Sequence, residues 1–120
     1  MHFIKEKVAN INAQDIFNIT FTNDQNYSIS FFNYGGCFHS IRIPNIINPN
    51  ETEDVLLGYD KFENYILDNS YLNCIIGRVC GRIPNSQFYL NNKKYILYSN
   101  DGKNHLHGGH SGFNKKIWKI

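Results

Sequence analysis

Hydrophobic and polar side chains alternate with a period of two in three successive stretches of this chain. Ile16, Asn18 and Thr20 alternate with Phe17, Ile19 and Phe21. Tyr27 to Phe32 resumes the alternation, and Cys37 to Ile43 carries it to Pro44. Residues two apart share a face of a strand, so the pattern predicts a three-stranded meander. "TNDQN" (22–26) and "NYGG" (33–36) supply its turns. The segment "PNIINPNETED", with two prolines, reads as a polar loop. Lys61 to Leu67 fits a short helix, with Asp60 as its N-cap and Glu63 three residues later. "SQFYL" and "KKYILY" flank Asn91 and Asn92. Asn tolerates the positive φ of a two-residue turn, so these form a hairpin. "SNDGKNHLHGGHSGFNKK" is a long loop, and "KIWKI" enters a further strand. Long loops on a β scaffold tend to carry function. There is no internal repeat and no alternation with long helices. The class is all-β, a sandwich or part of one.

Composition narrows the function. The 120 residues suggest one domain or part of one. Nine Phe, eight Tyr and frequent Asn supply aromatic packing and many turns. A net charge of +2 with no basic run beyond a Lys-Lys pair argues against nucleic acid and against an anionic membrane. No apolar run is long enough to span a bilayer, and "MHFIKEKVAN" lacks the apolar core of a signal peptide. The expected location is the cytoplasm. Cys37, Cys74 and Cys80 form no CxxC pair, which excludes a zinc ribbon or a CxxC redox motif and points to free, mostly buried thiols in a reducing compartment.

Two clusters could carry chemistry. "NHLHGGHSGF" holds three of the five histidines. His105 and His107 form an HxH pair that extended backbone would turn to one side, with His110 following, as a metal site needs. No acid stands at a telling spacing except Asp101, so a polar loop is favoured over a metal centre. "GRVCGR" sets Arg78 and Arg82 four apart, on one side if the segment stays extended. Their guanidinium forks suit carboxylates, phosphates or vicinal hydroxyls. No phosphate-binding glycine motif and no nucleophile with a neighbouring base is present.

In order along the chain, these pieces resemble the aldose 1-epimerases, or mutarotases. "NYGG" is similar to an N-Y-G-[AG] turn of that family, and "DVLLGYD" to its V-L-G-[YF] segment, followed by Tyr65. Gly77 to Trp118 then resembles a nearly continuous signature: G-R-x-x-[NG]-R-I, a hairpin, N-x-L-H-G-G and G-F-x-x-x-x-W. The resemblance implies that residues 1–120 are the N-terminal portion of one large antiparallel β-sandwich of the galactose mutarotase type, incomplete in this chain. It implies an isomerase interconverting the α and β anomers of hexoses such as galactose or glucose, with no cofactor and no metal. It implies sugar-binding roles for Arg82 and His107, with Gly81 beside Arg82 where Asn is common. Cys80 stands where a small residue is usual and reads as core packing.

Within the resemblance, the general acid (a histidine), the general base (a glutamate) and an acidic sugar ligand lie downstream of these residues. The 120 residues alone are therefore expected to be inactive, and a complementary C-terminal chain or a second copy is an expected partner beside the aldohexose. A non-catalytic carbohydrate-binding or interaction module is the first alternative. A His-rich metal-binding β domain using His105, His107 and His110 is the second.

Overall fold

The computed structural model describes residues 1–120. Its main body is an antiparallel sheet of five strands in chain order: β1 (His2–Ile11), β2 (Gln14–Thr22), β3 (Ser28–Phe32), β4 (Phe38–Pro44) and β5 (Thr52–Asp54). The three expected strands are its centre. Two more extend it, and neither was expected. β1 alternates weakly because Lys5 and Lys7 point to the same face as Phe3. Those lysines are used: Lys5 lies 4.1 Å from the centroid of the Phe17 ring, and Lys7 pairs with Asp15 at 2.7 Å. Charge on an edge strand also limits pairing with other chains. β5 lies inside the expected polar loop. It is short and follows a turn in which Asn45 Oδ1 accepts from the amides of Ile47 and Asn48.

Register divides the sheet into two faces. On one face, Ile16 and Phe32 meet a short helix, α1 (Phe62–Leu67). The Phe32 ring lies 5.0 Å from Phe62 and 5.2 Å from Tyr65, both edge-on. Ile16, Phe32, Tyr34, Cys37, Phe62 and Tyr65 form the core. The expected Asp60 cap is not used. Lys61 occupies the N-cap position and no side chain caps it. The other end is held from far away in sequence, where Lys115 Nζ donates to the carbonyls of Ile66 (3.1 Å) and Asp68 (3.0 Å). A cation there also complements the helix dipole.

The opposite face carries a row of rings. Phe3 pairs with Phe21, Phe21 with Phe31, and Phe31 with Phe38, at 5.1, 6.2 and 6.2 Å. The outer rings of this row, Phe3 and Phe38, are 55% and 41% exposed. Only 16 of the 120 residues are buried. The radius of gyration is 17.9 Å, against about 14 Å for a compact domain of this length. The sheet thus packs α1 on one face, while on the other Ile19 is buried and the ends of the ring row stand exposed.

Beyond α1 the chain builds a smaller β region. β6 (Arg82–Ile83) pairs with β9 (His105–Leu106), and β7 (Gln87–Leu90) with β8 (Lys93–Ile96). The β7–β8 turn is the expected one, with Asn91 at φ 50° and Asn92 at φ 59°. "KIWKI" forms no full strand. Ile117 makes a single bridge to Tyr34, flanked by bonds from Gly35 N–H to the Lys116 carbonyl (2.7 Å) and Trp118 N–H to the Asn33 carbonyl (2.7 Å). That bridge ties the small region back to the "NYGG" turn. The Asn33 side chain ties the same turn to β2: Oδ1 accepts from Phe17 N–H at 2.8 Å, and Nδ2 donates to the Asp15 carbonyl at 3.2 Å.

Candidate functional site

The β6–β9 pair brings the two signature segments together. Arg82 stands opposite Leu106, and Ile83 opposite His105. One residue further on each strand, Gly81 and His107 are joined twice. The His107 N–H donates to the Gly81 carbonyl at 3.1 Å, and the Gly81 N–H donates to Nδ1 of the His107 ring, also at 3.1 Å. A ring nitrogen that accepts carries no proton. The neutral imidazole therefore keeps its proton on Nε2, as a donor directed away from the backbone. His107 holds φ at 51° and Gly81 at 77°. Both leave the extended path at this point, which turns the imidazole back over Gly81.

The surrounding groups fix this arrangement. Tyr71 meets the His107 ring edge-on at 4.8 Å. Asn100 clamps Leu106 from both sides: its Oδ1 accepts from Leu106 N–H at 2.7 Å, and its Nδ2 donates to the Leu106 carbonyl at 2.9 Å. The same Nδ2 reaches the Tyr71 hydroxyl at 3.1 Å. Asp101 Oδ2 accepts from Arg82 Nε at 2.7 Å. The terminal guanidinium nitrogens of this mostly exposed side chain make no hydrogen bond within the protein. Gly108, at φ 89°, lies directly over the Gly77 peptide, and a Cβ there would sit 1.8 Å from the Gly77 carbonyl oxygen. The "GG" of the loop is therefore a steric requirement for bringing it against "GRVCGR".

Gly81 and His107 thus form one unit, with Arg82 next to it in sequence and its side chain bonded to Asp101. The other candidates separate from it. Arg78 does not share a side with Arg82, because Gly81 breaks the extended path. Arg78 lies over the Phe113 ring at 5.4 Å instead. His105 does not share a side with His107. It is buried, and its Nδ1 donates to the Tyr98 carbonyl at 2.8 Å, so its proton sits on the opposite nitrogen from that of His107. His110 packs edge-on against Tyr98 at 4.9 Å. No three His, Cys, Asp or Glu side chains gather closely enough to share a metal ion. Cys80 is exposed and packs no core; of the three thiols only Cys37 is fully buried. The supporting roles of Tyr71 and Asn100 had no sequence signal, since each acts through contacts made only after β6 and β9 pair.

Comparison with known proteins agrees with the order of these motifs. A family model described as aldose 1-epimerase matches residues 18–120. The chain is 41% identical over 103 residues to an aldose 1-epimerase of Haemophilus influenzae, covering 85% of this chain and 28% of that protein. It is 45% identical over 65 residues to a galactose mutarotase of Bos taurus, covering 54% of this chain and 19% of that protein. Among solved structures it is similar to a galactose 1-epimerase of Lactobacillus acidophilus, with a TM-score of 0.84 and 26% identity over 99% of this chain and 33% of that one. An aldose epimerase homologue from C. elegans aligns with a TM-score of 0.78 and 26% identity, covering 86% and 31%. The chain therefore spans a third or less of the length of these proteins, and its sheets are part of a mutarotase-like β-sandwich.

Proposed function

The chain belongs to the aldose 1-epimerase family, and on that premise we propose that it forms the part of a hexose site that grips the sugar. Mutarotation opens a pyranose ring and recloses it on the other face. It needs a base to take the anomeric proton, an acid to protonate the ring oxygen, and donors that hold the sugar while charge develops. Arg82 and His107 are suited to the third task. The Arg82 fork is held by Asp101 through Nε, and its terminal nitrogens can donate to vicinal hydroxyls. His107 offers Nε2–H to a hydroxyl or to the ring oxygen. Gly81 spends both its amide and its carbonyl on His107, so its role is to aim that imidazole.

The observation that carries this reading is the double Gly81–His107 bond. It fixes the tautomer of the histidine in the family's signature and seats it beside the strand of the signature arginine. The acid and base that the family resemblance implies fall beyond the segment this chain shares with its relatives. These 120 residues are then a sugar-holding part of the site and do not themselves supply those groups. The test is optical rotation of freshly dissolved α-D-galactose. With the chain alone, rotation decays at the rate in buffer. Acceleration that Arg82→Ala abolishes would show a complete acid/base pair within these residues and overturn that part of the reading.

A further inference from the structure

Cys37 and Cys74 lie on two segments joined by a pair of backbone hydrogen bonds and take no part in the sugar site. Phe38 N–H donates to the Asn73 carbonyl at 3.0 Å, and Ile75 N–H donates to the Gly35 carbonyl at 2.9 Å. These two bonds bracket the cysteines. Cys37 spends its own amide and carbonyl elsewhere, on Tyr34 and Phe32. Each bond joins a residue beside one cysteine to a residue within two positions of the other, so the two segments run side by side at the cysteines, and a disulfide would need their Cβ atoms at about 3.5–4.5 Å. Glycines permit the approach: a Cβ on Gly36 would meet Ile75 Cδ1 at 2.4 Å, and one on Gly35 would meet Cys37 Sγ at 2.8 Å. Cys74 packs against the core cluster that contains Cys37.

The two thiols also differ in chemistry. Hydrogen bonding with Cys74, and then burial, push the Cys37 thiol far above the ordinary range. The same neighbour lowers Cys74, while the Cys74 thiol itself donates to the Tyr71 carbonyl at 3.3 Å. Cys74 is the less buried of the two, while Cys37 is 4% exposed. The first proton to leave is that of the more accessible sulfur, and the protonated neighbour steadies the thiolate.

We propose that Cys37 and Cys74 are a redox-active dithiol that a low-molecular-weight disulfide closes, stapling the β3–β4 turn to the segment that leads into Gly77 and Arg82. The Cys74 thiolate attacks one sulfur of R–S–S–R. That bond breaks, a mixed disulfide forms, and the departing R–S⁻ takes up a proton. Cys37 then loses its proton to solvent and attacks the Cys74 sulfur, and the second R–S⁻ leaves and is protonated. Two protein thiols are oxidised, one small disulfide is reduced to two thiols, and no atom is added to the chain.

The test treats the Cys80→Ser chain with oxidised glutathione, in buffer and in urea, followed by acid quench, alkylation and peptide mapping. In buffer the product should be about 2 Da lighter than the reduced chain. It should take up no alkylating agent, and it should yield a linked peptide containing Cys37 and Cys74 that dithiothreitol separates. Cys37→Ser, in the same background, should stop at a stable glutathione adduct on Cys74. A lasting adduct on Cys74 when Cys37 is present would overturn the proposal. So would a linked-peptide yield no higher in buffer than in urea, since the pairing would then owe nothing to the fold.

Discussion

Gly108 carries more constraint than any other residue around the site. Its φ of 89° is one that side chains rarely adopt, and its α-carbon lies against the Gly77 peptide. Gly108→Ala adds both strain and a clash with backbone, neither of which a rotamer change can relieve. We expect it to cost more than about 2 kcal/mol, read as a lowered midpoint in urea unfolding. Its neighbour in function behaves oppositely. Arg82 is 60% exposed and its partner Asp101 35%, and such pairs contribute about 0–1 kcal/mol to folding. Loss of Arg82 should therefore leave stability nearly unchanged. The resemblance to mutarotases pointed to Arg82 and His107. What the sequence does not contain is the tautomer of His107, which depends on Gly81, 26 positions away.

At the scale of elements, the turn after α1 is a carboxylate-centred unit. Asp68 Oδ1 accepts from the Ser70 amide (3.1 Å), the Ser70 hydroxyl and the Tyr59 hydroxyl (3.0 Å), and Oδ2 accepts from Leu72 N–H (3.0 Å). Partial burial raises its pKa, but these bonds outweigh burial and hold the carboxyl below its ordinary value. A group depressed in the folded state contributes stability that is fully present above its unfolded pKa, about 3.9, and is lost as pH falls through the lower folded value. Denaturant midpoints followed from neutral pH into acid should therefore drop below about pH 4, and Asp68→Asn should flatten that drop while lowering the plateau at neutral pH. The central strands and the Asn91–Asn92 hairpin were legible because alternation and turn chemistry are local signals. The helix was legible in place but not in capping, since Lys115 holds its far end across 49 positions. β1 was not legible because its alternation mixes Lys with Phe on one face. That face becomes favourable only when Phe17 and Asp15 of β2 lie beside it.

At the scale of the whole molecule, one face of the five-stranded sheet carries a row of phenylalanines whose ends, Phe3 and Phe38, are exposed. Rings of this size and exposure are costly to leave in water. The chain alone should bind an apolar dye and show concentration-dependent association in sedimentation velocity. Phe3→Lys combined with Phe38→Thr should weaken both, with little change in β content by circular dichroism. Equal association by the double variant would place the contact elsewhere. The all-β class was readable from the chain, and the likeness to an epimerase about three times as long gives these sheets their setting. No local pattern distinguishes a sheet face that meets solvent from one that meets another layer.

We propose that Arg82 and the Nε2–H of His107 grip a hexose. This is tested most directly by titrating the ¹⁵N-labelled chain with D-galactose and following amide and side-chain resonances. Saturable shifts are expected at Gly81, Arg82 and His107. Affinity should fall about 10- to 100-fold in Arg82→Ala, the loss of a charged hydrogen bond, with folding preserved. Shifts confined to other residues, or equal affinity in the variant, would contradict it.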